Sequence, residues 1–226
     1  MKLLLGSLLI AASATVATCS VPSLEVPACG VGKGSLQYSK SVPNQTDFPL
    51  TQVDICYDDT SIQLTFTAFG EVNFYYNESY QTNDPIWEYE VMETFIYHGT
   101  NDPQTYLEFE ISPNNVTFQA FIYNPSKVRA TGAPMDTMFL TEPLVDGMTA
   151  ETTLDKAAQS WVSSASIPLG LFNIDNGQAA GTKWRMNFFR TVVSRDTFPD
   201  QLLGAWNPTN ESNFHMTPFF GNVAFL

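Results

Sequence analysis

The side chains best suited to chemistry gather in two stretches. The first, Asn83-Asp84-Pro85-Ile86-Trp87-Glu88-Tyr89-Glu90-Val91-Met92-Glu93-Thr94-Phe95, sets three glutamates close after an indole. Two carboxylates at the right separation suffice to hydrolyse a glycosidic bond, so Glu88, Glu90 and Glu93 define a glycosidase reading. The same groups can instead accept hydrogen bonds from sugar hydroxyls while Trp87 stacks on the apolar C–H face of the ring. Acidic residues along a strand ordinarily form its solvated face, which sets catalysis behind binding. The second stretch runs from Trp184-Arg185-Met186-Asn187-Phe188-Phe189-Arg190 through Ala205-Trp206-Asn207-Pro208-Thr209 to Phe214-His215 and Phe219-Phe220-Gly221. It adds aromatic faces and one arginine whose strand parity matches Trp184, Met186 and Phe188. Signatures of other chemistries are missing. There is no Gly-x-Ser-x-Gly elbow, no His-Glu-x-x-His, no phosphate loop and no dinucleotide fingerprint. Only two histidines, His98 and His215, are present, which excludes a multi-histidine catalytic metal site.

The elements that position these residues are strands. In Ser61-Ile62-Gln63-Leu64-Thr65-Phe66-Thr67-Ala68 every second residue is apolar, the period of a half-buried strand. Leu107-Glu108-Phe109-Glu110-Ile111 and Val116-Thr117-Phe118-Gln119-Ala120 repeat it. Further strands are predicted at 50–57, 89–97, 148–154, 159–167, 183–193 and 219–225. Turn clusters such as Asp58-Asp59, Asn114-Asn115, Asp146-Gly147 and Asn176-Gly177 separate them. No segment carries an amphipathic helix of ten or more residues. The expectation is an all-β protein, one antiparallel β-sandwich of jelly-roll type over about 30–226. Ile62, Leu64, Phe66, Phe109, Phe118, Trp161, Trp184 and Phe188 are its predicted core.

Composition fits one domain with a large core. Aromatic residues make up 13% of the 226, while charged residues reach only 15% against roughly 25% in ordinary soluble domains. The net charge of −13 argues against nucleic acid or anionic lipid, which require clustered Lys and Arg. Met1-Lys2 followed by the apolar run Leu3 to Ala12 reads as a secretory signal peptide over 1–20, cleaved after Ala17 or Ser20. The run is too short to span ~30 Å of hydrocarbon, so no membrane anchor is expected. Cleavage after Ser20 discards Cys19 and leaves Cys29 and Cys56 as an even pair, the expected disulfide of an extracellular protein. Four Asn-x-Ser/Thr sequons, at Asn44, Asn77, Asn115 and Asn210, mark expected glycosylation on exposed loops.

In the order and spacing of its two stretches, the chain resembles family 9 carbohydrate-binding modules. Those pair a Trp-x-x-Asp/Glu-x-x-Glu-x-Phe strand with a closing Trp-x-Pro…aromatic…Phe-Gly segment, and Ile167-Pro168-Leu169 is similar to the family's Ile-Pro step. The resemblance spans about 50–226. It implies a non-catalytic domain that holds a sugar ring between two aromatics beside a glutamate, alongside carbohydrate catabolism. By position these are Trp87, Phe214 and Glu93. Trp87 lies six residues before Glu93, and Phe214 six before Phe220. Two departures follow. Phe214 stands where the family usually has Trp, and Glu110 stands where studied modules place a sugar-binding arginine. Arg190 is the expected substitute, either reaching the sugar or serving as a buried partner for Glu93. The resemblance also implies structural calcium, for which Asp58, Asp59, Asp84 and Asp102 offer oxygen donors without a site being assigned. No other cofactor is required. Similar sandwiches in DOMON-type domains bind haem through one Met and one His, which makes Met92, Met186 or Met216 with His98 or His215 the alternative from a different class.

Overall fold

The computed structural model describes Ser20–Leu226. The expected signal peptide, apart from Ser20, and Cys19 lie outside the described residues. Thirteen strands form two facing sheets. In chain order they are β1 (Ser23–Val26), β2 (Gly34–Lys40), β3 (Asp47–Tyr57), β4 (Ser61–Phe69), β5 (Val91–His98), β6 (Thr105–Ile111) and β7 (Thr117–Tyr123). They continue with β8 (Asp136–Phe139), β9 (Thr149–Asp155), β10 (Ser160–Pro168), β11 (Lys183–Val192), β12 (Leu202–Ala205) and β13 (Gly221–Phe225). The larger sheet has the order β1-β13-β11-β5-β6-β7-β8, with β12 also paired to β11. The smaller runs β2-β3-β4-β10-β9. The protein is an all-β sandwich. All strand pairs are antiparallel except β1, which runs parallel to β13. That strand precedes residue 30, where the sequence reading begins the domain. Helix is confined to single 3₁₀ turns, one of them Ile86–Glu88, and no helix among the described residues is long and apolar enough to cross a membrane.

The core between the sheets follows the period-two pattern. Ile62, Leu64 and Phe66 of β4 alternate inward and meet Trp184, Met186 and Phe188 of β11. Phe66 and Phe188 pack edge to face with ring centres 6.4 Å apart. All eight predicted core residues are buried. Phe118 alone among them is buried elsewhere, on the far side of the larger sheet.

That far side decides where a site can lie. The outer face of β5, β6, β7 and β11 carries a second apolar cluster that includes Val91, Phe95, Tyr106, Phe118, Ile122 and Phe189. The loops before β5 and after β12 fold over it, bringing Ile86 and Phe220 into the cluster. The central strands are therefore covered on both faces, which is why β5 and β11 are buried along nearly their whole length, polar residues included.

The Cys29–Cys56 disulfide forms, tying the segment after β1 to the end of β3 across 27 residues of chain. A loop of that size constrains the unfolded chain by about 3 kcal/mol. Replacing both cysteines with serine is expected to lower the unfolding free energy by about 2–4 kcal/mol in urea titrations. Asn44, Asn77, Asn115 and Asn210 all lie outside the strands; Asn44, Asn115 and Asn210 are exposed and Asn77 is half-buried.

Candidate functional site

Pro85 caps the 3₁₀ turn Ile86–Glu88, which anchors itself by burying Ile86. The indole of Trp87 then projects outward, 44% exposed. Its ring edge rests on Phe118 of β7 at 5.2 Å, and its carbonyl accepts a hydrogen bond from Gln201 Nε2. Across the pocket, Phe214 lies flat against Phe189 of β11, with ring centres 4.2 Å apart. Among the described residues the two aromatics do not pack on one another; both line a cavity of about 270 Å³. That is near the ~300 Å³ lower end of ligand pockets, a size for a single ring rather than a bulky molecule.

Glu93 of β5 forms part of the floor, 3% exposed. Opposite it in the antiparallel register stands Glu110 of β6, and Glu108 points to the same face two residues away. Burial pushes all three carboxyls up. Glu108 rises to about 8, with Arg129 working the other way, while Glu93 and Glu110 stand well above the ordinary carboxylate range because neighbouring carboxylates repel them as well. His215 borders the same cavity. Its ring stacks on Phe95, its Nδ1 lies 2.7 Å from the Tyr106 hydroxyl, and its Nε2 is 3.9 Å from Glu108 Oε1. Burial, aided by Arg129, holds the imidazole down to about 3, so it is neutral at ordinary pH.

The structure thus brings Trp87, Glu93 and Phe214 to one pocket and removes Arg190 from it. Arg190 pairs with Met92 in the β5–β11 register, whereas Glu93 pairs with Phe189, so the two side chains leave the sheet on opposite faces. Arg190 points between the sheets, is 0% exposed, and ion-pairs with Glu71 at 2.6 Å. Strand parity gave its inward direction correctly, but its partner is Glu71 rather than Glu93.

The other candidate groups are also dispersed. Glu88 is exposed and accepts a hydrogen bond from the Tyr80 hydroxyl. The buried Glu90 carboxylate is held by Asn73 and the Tyr75 amide. Neither lines the pocket of Glu93. Met92 and Met186 fill the inter-sheet core, on the face opposite to His215, and His98 packs on Trp184. Asp58 accepts from Thr60 and Ser61, Asp84 from the Gln81 amide, and Asp102 ion-pairs with Arg185. Glu108 and His215 were not foreseen as pocket residues, and Glu110 entered the sequence reading only as a departure from the family's arginine. Their sequence signal lay in the neighbouring strands: Phe118, Ala120 and Ile122 of β7 share the outward phase with Glu108 and Glu110. An apolar outward face cannot be a solvated one.

These features can be set beside known proteins. No family model matches the chain. An extracellular protein of Arthroderma benhamiae is 49% identical over 220 residues, covering 96% of this chain and 98% of that one. The chain belongs to that protein's family. Among solved structures, a Bacteroides uniformis protein described provisionally as carbohydrate-binding superposes with a TM-score of 0.68 at 17% identity, covering 92% of this chain and all of that one. A family 9 carbohydrate-binding module from Caldicellulosiruptor kristjanssonii, in complex with cellotriose, gives 0.55 at 12% identity over 90% of this chain and 93% of the module. Such a module from the same organism, in complex with glucose, gives 0.54 at 14% over 98% and 92%. At these identities the likeness is one of fold. The chain therefore has the fold of family 9 carbohydrate-binding modules, as the sequence resemblance implied.

Proposed function

We propose that this protein is a secreted, non-catalytic carbohydrate-binding protein that holds one sugar ring between Trp87 and Phe214 above Glu93. The observation that carries the reading is the exposed indole over an acidic pocket. Trp161 and Trp184 are buried in the core, whereas Trp87 presents its ring to solvent at the mouth of a cavity with a carboxylate floor. A pyranose has an apolar face for the aromatics and a hydroxyl edge for the carboxyls. Neutral mono- or oligosaccharides, released during breakdown of a polysaccharide, are the matching class. The name of the Arthroderma relative, the Cys29–Cys56 bridge and the apolar N-terminal run support secretion. Sequons on loops support glycosylation at Asn44, Asn77, Asn115 and Asn210. The dispersal of Glu88, Glu90 and Glu93 supports binding without catalysis.

Calorimetric titration with glucose, cellobiose, cellotriose and xylo-oligosaccharides tests this. With any sugar that binds the parent, Trp87→Ala is expected to lower affinity by about 2 kcal/mol, roughly thirtyfold, as for a truncated aromatic anchor. Its melting temperature should stay within a few degrees of the parent's, because the ring is half in solvent. Unchanged affinity in Trp87→Ala would end the stacking assignment.

A further inference from the structure

Glu93, Glu108 and Glu110 do more than face a ligand. One carboxylate oxygen from each lies within 4.8 Å of one from each of the others. Ligands to a single calcium sit at about 2.3–2.6 Å from the ion, so oxygens sharing it are at most about 5 Å apart. Three buried carboxylates gathered to that spacing repel one another strongly unless protons or a cation lie among them. The protein supplies none at bonding distance. Among the described residues the ion pairs of Lys and Arg are Lys40–Asp47, Arg185–Asp102 and Arg190–Glu71. Arg129 borders the cavity but makes no ion pair with these groups.

A second observation is independent of the crowding. Glu110 is 1% exposed, and its Oε2 has no hydrogen-bond partner. A buried carboxyl oxygen without a partner is costly, and this one belongs to the carboxyl that stands opposite Glu93 across β5 and β6. His215 stands outside that trio, with its Nε2 3.9 Å from Glu108 Oε1.

We propose that Glu93, Glu108 and Glu110 bind a hard divalent cation, of the calcium or manganese class, at the floor of the Trp87–Phe214 pocket. Three carboxylates supply between three and six oxygens, and the remaining positions face the cavity. There the cation can take two neighbouring hydroxyls of a sugar ring. This last role rests on the function proposed above; the cation site itself does not.

The full chain, stripped with EDTA and exchanged into chelator-free buffer, is titrated with calcium chloride and separately with manganese chloride, sugar being absent. One ion per chain is expected, with loss of the free manganese electron paramagnetic resonance signal at the same stoichiometry. Glu110→Gln should weaken binding at least tenfold, and Glu108→Gln/Glu110→Gln should abolish it. Both variants remove buried like charges, so without metal they should melt at or above the parent, which shows that they fold. No binding to the parent by either method, or unchanged binding in the double variant, overturns the site. Sugar titrations with and without calcium separate the two readings. Sugar binding without any cation binding leaves the stacking site and removes this one. Cation binding without sugar binding does the reverse. Equal sugar affinity with and without bound cation removes the bridging role.

Discussion

Arg190→Ala is expected to lower the unfolding free energy by about 3–5 kcal/mol, a large part of the ~5–15 kcal/mol that holds a domain together. The guanidinium is buried between the sheets, with Nη2 at 2.6 Å from Glu71 Oε2 and Nη1 at 3.4 Å from Thr51 Oγ1. Its carbon rests over the Phe48 ring at 5.9 Å. Glu71 is itself 1% exposed, and its other oxygen accepts the amides of Asn73 and Phe74. Removing the arginine leaves a buried carboxylate without its counter-charge and opens a cavity. The cost comes mostly from the stranded charge, so Arg190→Met/Glu71→Gln should recover most of the stability that Arg190→Met alone loses. Urea unfolding of the four proteins checks this, and a loss below about 1 kcal/mol in Arg190→Ala would contradict it. Sugar affinity of the folded double variant should equal the parent's, because Arg190 lies on the opposite face of the sheet from Glu93.

The second large effect is a dependence of stability on pH that runs against habit. Burial pushes the Glu90 carboxyl up from 4.5 to about 8, and the Glu71 charge adds to it; Asn73, Tyr75 and Arg190 oppose the shift. An acid whose folded pKa lies above its unfolded one holds its full stability below pH 4.5 and loses it as pH rises through about 8. The full loss amounts to several kcal/mol. Thermal melts of parent and Glu90→Gln from pH 4.5 to 9, at constant calcium, isolate this group from the pocket carboxyls. The variant should match the parent at pH 4.5 and melt well above it at pH 9. Parallel curves would rule out Glu90 as the cause.

Much of the fold is written in the period of two. Ser61 to Ala68 and Leu107 to Ile111 alternate cleanly, and the strands fall within a few residues of where that alternation puts them. The strands that escaped carry too little pattern. β8 is four exposed residues, β12 is Leu-Leu-Gly-Ala, β1 pairs only with the distant β13, and β2 has Leu36 and Tyr38 as its only large apolar side chains. For the site, Trp87, Glu93 and Phe214 were named by their positions in the family resemblance, and the structure brings all three to one cavity. Arg190 was half legible. Parity gives the direction of a side chain but not which sheet face carries the pocket, and Glu71 arrives from a loop that only the tertiary fold brings near. Glu108 and Glu110 were hidden by the same rule that revealed the strands, since an alternating polar phase reads as solvent-facing until the covering loops are known.

The two-sided burial of β5, β6 and β11 also sets how the molecule opens. Amides in strands with neighbours on both edges and apolar cover on both faces exchange with deuterium only when the whole domain unfolds. Glu93, Glu108 and Glu110 are carried by β5 and β6, whereas Trp87 and Phe214 stand on connecting segments outside the strands. The floor of the pocket is therefore fixed on the slowest-exchanging part of the chain, and its rim is free to adjust on much shorter times. Discrimination between ligands by fixed geometry belongs to the floor, and accommodation of rings of different outline belongs to the rim.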